Sequence, residues 1–558
     1  RVRASAIDAM QSATVPASLC AKTATDSCSG EGAMRCAVDG RPGIASIEIG
    51  RKKLRLRAGR IAAAGWSPWV LALAAAATYG GYAAYGNIHQ DEGWLLESSL
   101  RVARGEVPHR DFVSIYPAGR FYLFAAVLEL FEGELLAVRA TWCILRGAVV
   151  GLVFALGRRM MPAPFAAAAA VLAWLLPGPW HKTFFALVPL ATLAALAAWA
   201  GDRRRGWLWL AGALAGVGAW FRHDVGVISF GAAGALVMAS WWCERGQPRR
   251  ATAWALDTLA VTVSGAGLVA VGFVAIAAAA GAGEVAEQLV ARAWRESAPP
   301  VTAGGRTIAR LPWSALALAV ALLVQVARRV GGGRWDVPTA LTGAVALVAV
   351  VTVNQSFRYP EAIRFLQGGP VFYLLWCVAA AGAWRRFGDA PMLRTAVVVI
   401  AAGIPAIGAA AVLAGAPVGL PIEYTGTIAV GWERTQPFVT STGSTIYVSP
   451  EWARSVDFVQ RTTAVHLPPG APLAVIGRPS AAYFLLHRRN PSRLIRFADA
   501  AATAAEREAA LATLVRECPV VIADGLLLRR RGAWWRRALQ RHYAPIARLG
   551  PLVAMGRR

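Results

Sequence analysis

Charge is scarce in this chain, and acidic charge is scarcest. Of 558 residues only 16% are charged, and 32 Asp and Glu stand against 58 Lys and Arg. With 56% hydrophobic residues and a mean hydropathy of +0.45, this shortage argues against a soluble two-domain enzyme and fits a polytopic membrane protein. Cysteine is thin as well. Cys20, Cys28 and Cys36 lie in an unpatterned N-terminal stretch, Cys143, Cys243 and Cys377 in or at the ends of apolar runs, and Cys518 stands alone, so no disulfide framework and no metal spacing emerges. A phosphate-binding glycine loop, an HExxH and a CxxC are also missing, and Asn354-Gln355-Ser356 is a sequon by pattern only. No resident metal or cofactor is therefore assigned, although a divalent cation assisting the chemistry stays open.

What is abundant is apolar length and basic punctuation. The formal net charge of +26 would raise the question of nucleic acid in a soluble protein, but here much of the basic charge falls in short clusters between apolar runs. That distribution speaks of topology, with membrane lipids and not nucleic acid as the surroundings. Residues 1–60 read as a disordered, cytoplasmic tail that ends in "RKKLRLRAGR"; the first fifty begin without Met and lack periodicity, as a mis-assigned gene start also would. A membrane domain is expected over 61–414. Apolar runs near 62–84, 139–157, 163–178, 183–200, 207–221, 225–243, 252–280, 312–327, 337–353, 369–384 and 394–414 predict about eleven transmembrane helices.

The turns "GRRM", "GDRRRG", "CERGQPRR", "ARRVGGGR" and "AWRRFGD" are short and arginine-rich, which places them in the cytoplasm. The polar motifs "NIHQDEG", "PGPWHKTFF", "WFRHDVG" and "NQSFRYPEAIRF" then all fall on the opposite face, the first of them opening an outer loop over 85–138. After about residue 415 hydropathy drops, and helices alternate with the strands "APLAVIG" and "PVVIAD", predicting a small α/β domain over 415–558. An odd number of spans puts that domain outside; one missed span would put it in the cytoplasm.

Asp91 and Glu92 sit at the mouth of the first span. A carboxylate near a low-dielectric surface costs free energy unless paired, so such a residue suggests function, with Asp91 able to deprotonate an acceptor hydroxyl. The plainer reading is that Asp91 caps a helix whose first turn holds Glu92. That helix, "WLLESSLRVARG", carries Leu96, Leu100 and Ala103 on one stripe opposite Glu97, Arg101 and Arg104, the pattern of a helix lying in the membrane interface. The same face collects Arg110, His181, Lys182, Arg222, His223, Arg358 and Arg364, residue types that bind phosphate. Plain alternatives exist here too: His181 and Lys182 could only anchor a helix end, and Arg222 with Asp224 could be a local ion pair. A phosphate leaving group needs charge stabilisation but no general acid, so one carboxylate base plus cations suffices, whereas a glycoside hydrolase typically needs two carboxylic groups.

The "DEG" after the first span, the following "ARGEVPHRDF", the "YPAGRFYL" leading to the second span and Arg139 near its start together resemble the multispan GT-C glycosyltransferases. The likeness is to bacterial relatives of protein O-mannosyltransferases (family 39) and of the lipid A aminoarabinose transferase. The resemblance implies transfer of a hexosyl or pentosyl group from a polyprenyl-phosphate donor to an acceptor hydroxyl, with inversion, on the outer face of the bacterial plasma membrane. It implies Asp91 as general base with Glu92 beside it. "FRHDVG" is similar to an Arg-x-Asp-x-Gly turn of bacterial members. "NQSFRYPEAIRF" departs from the pattern, having neither Asp nor His after Arg358, which leaves the phosphate contact open between Arg358 and Arg364.

The resulting expectation is a mostly α, GT-C-like integral glycosyltransferase with Asp91 and Glu92 catalytic. Arg222, His223, Arg358, Arg364, His181, Lys182 and Arg110 are expected at the donor phosphate, and Tyr116, Asp111 and Asp224 in the substrate pocket. The acceptor class, whether lipid, polysaccharide or protein, is left open. A polytopic transporter or lipid flippase is the alternative, although the charges gather at span ends instead of span centres. An inactive scaffold member is the third reading.

Overall fold

The computed structural model describes residues 68–558 apart from 89, 177, 179, 245–249, 297–309, 333–335, 359–361, 388–389, 394, 398, 400–434, 478–479, 498–500 and 531. The N-terminal tail and most of the run 394–414 fall outside the described residues, as does the expected boundary at 414/415.

Helix α1 (Pro68–Gly81) is followed by two helices of the first loop, α2 (Gln90–Ala103) and α3 (Gly119–Leu130). The bundle continues with α4 (Leu135–Met160), α5 (Ala163–Leu175), a single 3₁₀ turn Trp180–Lys182, α6 (Phe184–Asp202), α7 (Gly206–Phe221), α8 (His223–Glu244) and α9 (Arg250–Ala280). After α10 (Ala282–Ala286) the chain passes through a π-helical stretch, Glu287–Arg292, into α11 (Ala293–Glu296). Long helices return with α12 (Arg310–Gly331), α13 (Val337–Arg358) and α14 (Ala362–Arg386). Among the described residues five helices are long and apolar enough to cross a membrane; two shorter apolar helices lie between them and a third, Val337–Val353, follows. Helices thus cover the predicted runs from the first through 369–384, but a total of eleven spans does not follow from them.

The packing of α1 on α4 shows how a chain poor in polar side chains holds its helices together. Without a hydrophobic drive inside lipid, close backbone approach through small residues substitutes for it. Gly147 faces the Ala72 carbonyl and the Ala76 methyl, and a Cβ at Gly151 would lie 2.7 Å from the Pro68 carbonyl oxygen and 3.0 Å from the Ala72 Cβ. Gly147→Val is therefore expected to wedge the two helices apart, at a cost of about 1–3 kcal/mol. A lower unfolding temperature in detergent is the outcome to look for; an unchanged one contradicts this packing.

Beyond the bundle, the hairpin β1 (Gln436–Val439) and β2 (Thr445–Val448) leads into α15 (Pro450–His466), β3 (Ala474–Ile476), α16 (Ala482–Leu485), α17 (Ala504–Glu517) and β4 (Val520–Asp524). The chain finishes with α18 (Gly525–Arg530), α19 (Ala533–His542), β5 (Tyr543–Leu549) and β6 (Leu552–Arg557). The four-stranded sheet has the order β3-β4-β6-β5, parallel between β3 and β4 and antiparallel elsewhere. Its last two strands are absent from the sequence reading: "YAPIARL" is short and contains a proline.

This region rests directly on the first loop. Tyr85 stacks on Tyr447 at 4.7 Å, Asn87 and Ser449 bond reciprocally, and one apolar core joins Leu96, Phe121 and Trp142 to Ile446, Val456 and Phe484. The loop after α1 and the C-terminal region therefore share one end of the bundle, which settles their relative side. Of the polar face predicted for α2, Arg104 is exposed but Glu97 and Arg101 do not meet water. Glu97 and Arg101 are buried because the C-terminal region covers them, Asn490 Nδ2 donating to Glu97 Oε1 at 2.9 Å and Arg101 Nη1 to the Ser492 carbonyl at 2.9 Å.

Candidate active site

Asp91 and Glu92 are neighbours in the first turn of α2, where carboxylates are favoured by the helix dipole. Adjacent helical positions point about 100° apart, and the two residues part company accordingly. Glu92 turns inward, fully buried, and accepts from Arg139 Nε at 3.0 Å; Arg139 also donates to the Ala83 carbonyl at 3.0 Å and the Gly86 carbonyl at 3.2 Å. Asp91, 30% exposed, opens on a cleft. Its Oδ2 lies 3.2 Å from Lys182 Nζ and 3.3 Å from His181 Nε2, both on the buried 3₁₀ turn.

Arg139 connects the two halves of this arrangement. Its guanidinium stands 4.9 Å from the Trp180 ring, whose other neighbour is Arg146 at 5.3 Å, and Arg146 also donates to the Gly178 carbonyl. One buried cation thus holds both the segment that carries Asp91, through Glu92, and the turn that carries His181 and Lys182, through Trp180.

Tyr116 gathers the remaining cations. Its ring centroid lies 3.8 Å from the Arg120 guanidinium, 5.3 Å from that of Arg222 and 5.6 Å from Lys182 Nζ. Lys182 above all, with Arg222 and Arg120, pulls the phenol below its ordinary pKa against the opposing effect of burial. Burial lowers the Arg120 guanidinium to about 10, so it stays cationic at neutral pH. Asp224 engages Arg222 through both oxygens, at 2.8 and 2.6 Å, and holds that guanidinium beside the Tyr116 ring, although neither Arg222 nor Asp224 lines the cleft itself.

The cleft is narrow, with a cavity volume of about 50 Å³. Its far wall holds groups that the sequence reading missed: Arg292 and Glu296 from the stretch after α10, and Arg496 from the C-terminal region. Arg292 pairs with Glu506 at 2.6 Å and Arg496 with Glu296 at 2.7 Å, while Arg496 also covers the Trp94 ring at 5.0 Å. The available signal was arginine interrupting apolar sequence, in "GRFYLF", "EQLVARAW" and "RLIRF".

Other expected residues lie elsewhere. Glu92 is walled off from the cleft by its pairing with Arg139. Arg110 is half-exposed and pairs with its neighbour Asp111 at 2.8 Å, while Asp111 accepts from the Val107 amide at 2.6 Å, shaping the loop and not the cleft. His223 is exposed at the start of α8 and does not line the cleft. Arg358 and Arg364 belong to α13 and α14, but their side chains lie outside the described residues. Among the described residues no three His, Cys, Asp or Glu side chains gather as a metal site.

No protein-family profile matches the chain, and no curated protein matches its sequence. Among solved structures it is similar to ArnT from Cupriavidus metallidurans bound to undecaprenyl phosphate, with a TM-score of 0.51 and 15% identity over 88% of this chain and 98% of that one. The two share a fold. A weaker similarity, with a TM-score of 0.46 and 13% identity over 88% of this chain and 74% of the other, is to the archaeal oligosaccharyltransferase AglB from Archaeoglobus fulgidus in complex with an inhibitory peptide and a dolichol-phosphate. The same organism's oligosaccharyltransferase with Zn and sulfate gives a TM-score of 0.45 and 14% identity over 87% and 73%.

Within this fold, the glycine of "DEG" has a steric reason. A Cβ on Gly93 would come within 2.6 Å of Ser480 Oγ and 2.8 Å of the Ala481 nitrogen, so only glycine lets the C-terminal region seat beside Asp91. One turn further on, Glu97 makes that seating pH-dependent. Its Oε2 has no hydrogen-bond partner among the described residues, and burial lifts its carboxyl from 4.5 to about 7, outweighing the opposing effects of Arg101 and Asn490. The folded protein therefore binds this proton more tightly than the unfolded chain does. Its stability is expected to fall as pH rises from about 4.5 through 7 and to level off above, an effect of up to about 3 kcal/mol. Glu97→Gln preserves the bond from Asn490 and should flatten the profile, raising the unfolding temperature at pH 8; an unchanged profile argues against this assignment.

Proposed function

We propose that this protein is an integral membrane glycosyltransferase that moves a sugar from a polyprenyl-phosphate donor to an acceptor hydroxyl, with inversion, using Asp91 as general base. The observation that carries the reading is the Asp91 carboxylate, open to a cleft and ringed by Lys182, His181 and, around Tyr116, Arg120 and Arg222. Asp91 takes the acceptor's hydroxyl proton as its oxygen bonds to the anomeric carbon. The bond from that carbon to the phosphate oxygen breaks, and its electron pair leaves with the polyprenyl phosphate. The growing negative charge on that oxygen falls to Lys182 and the arginines, fixed in place before the reaction begins. If a divalent cation assists, it adds charge neutralisation at the same phosphate.

A separate apolar groove lies between α3, α7 and α9, lined by Pro117, Gly119, Trp220, Phe221, Phe273 and Ile276. Its residues Pro117 and Phe221 are next in the chain to Tyr116 and Arg222, and its apolar lining suits the donor's isoprenoid chain. The arginine-rich turns lie at the opposite end of the spans, among them Arg203 and Arg205 paired with Glu244 and Asp257. The charge rule favours a cytoplasmic side for them, which supports the reading that the cleft faces outward from a bacterial plasma membrane.

The test is release of polyprenyl phosphate from a labelled polyprenyl-phosphate-sugar by the purified chain, a product that a flippase or transporter does not form. Lys182→Met, which keeps the stem and removes the charge, is expected to slow release about ten- to a hundredfold while the protein folds normally. Absence of release across lipid-linked hexose and pentose donors, or full activity in Lys182→Met, counts against the proposal.

A further inference from the structure

The C-terminal region carries a second concavity, which shares no lining residue with the cleft. It is a groove of about 670 Å³ bounded by α18, α19, β5 and β6. Its floor is apolar, with Leu528, Leu539, Met555 and the 40% exposed Ile546. Four exposed arginines rim it: Arg529, Arg536, Arg548 and Arg558. No aspartate or glutamate lines the groove, and none of the four guanidinium groups forms an ion pair or hydrogen bond among the described residues. The contrast within this domain is sharp, since Arg489, Arg493, Arg496 and Arg516 each hold a carboxylate. Four like charges around one groove repel one another unless an anion sits between them, and the exposed Ile546 side chain leaves apolar surface in water that an apolar ligand segment would cover.

We propose that this groove binds an anionic phospholipid, its phosphate held between the arginine forks and its first acyl carbons laid on the floor. Charge and apolarity in one concavity call for an amphiphile, and a bilayer is beside this protein by virtue of its spans. An acidic peptide fits less well. The free edge here is β5, where Pro545 lacks an amide hydrogen and the pairing with β6 slips between Pro545 and Ala547, so an added strand finds an interrupted ladder.

The test uses the full chain in uncharged detergent and does not depend on any transferase activity. A photo-activatable phosphatidylglycerol is cross-linked to it and the labelled peptides are mapped, with phosphatidylcholine, inorganic phosphate and poly-glutamate as competitors. Labelling is expected within 525–558, competed by phosphatidylglycerol at least tenfold better than by phosphatidylcholine. Arg536→Gln/Arg548→Gln is expected to lower labelling of that segment at least tenfold while leaving labelling elsewhere on this basic protein unchanged. The proposal is overturned by equal competition from phosphatidylcholine, by undiminished labelling in the double variant, by competition from inorganic phosphate as strong as from the lipid, or by poly-glutamate displacing the lipid more effectively than phosphatidylglycerol does. The last result would assign the groove to an acidic protein.

Discussion

Asp91→Asn is expected to cut the release of polyprenyl phosphate by roughly 10²–10⁴-fold, the span usual for loss of a positioned general base. Asparagine has nearly the same shape and keeps an oxygen for Lys182 and His181, now 3.2 and 3.3 Å from the carboxylate. What it loses is the ability to take a proton. The variant should therefore reach the membrane in normal amount and unfold at nearly the wild-type temperature, because the carboxylate is partly solvated and its ion pair contributes little net stability. Transfer close to wild type would remove Asp91 from the chemistry and return it to the role of a favourable residue in a helix's first turn.

Arg139→Met should do the reverse, destroying the fold before the chemistry can be asked about. It strands a carboxylate, Glu92, that is wholly enclosed, and deprives the Ala83 and Gly86 carbonyls of a donor. Breaking a buried pair from one side typically costs about 3–5 kcal/mol, a large share of the stability of an ordinary domain. Loss of monodisperse protein on extraction is the expected result. The double variant Glu92→Met/Arg139→Met removes the stranded charge and should recover most of the folded yield, since apolar replacements for a buried pair are often neutral. It should still transfer poorly, because the clamp linking the Asp91 segment to Trp180 is gone. If the single variant is as stable as wild type, Glu92 and Arg139 do not form the buried pair described.

The contrast between these two neighbours shows where sequence reading stops. In "DEG" both acids carry the same formal signal, a charge beside an apolar run, and the sequence reading treats them as a pair. Only packing distinguishes the carboxylate that meets solvent from the one that meets Arg139, because one helical step turns a side chain by about 100° and nothing in the string says where the core is. Glu97 and Arg101 teach the same lesson from the other side: their spacing reads as a solvated face, and a domain more than 350 residues later in the chain covers it.

Apolar runs, basic turns and the gathering of Asp91, His181, Lys182 and Arg222 at one end of the bundle were legible in the string because each rests on a local property. Hydropathy adds along a helix, a charge costs free energy at any apolar boundary, and positive turns bias orientation by their number alone. Tertiary structure decided what depends on distant segments meeting: the far cleft wall of Arg292, Glu296 and Arg496, the two-sided hold of Arg139, and the seating of the C-terminal region on the first loop. Such contacts are set by shape and by the pairing of groups hundreds of positions apart, and no window along the chain contains both partners.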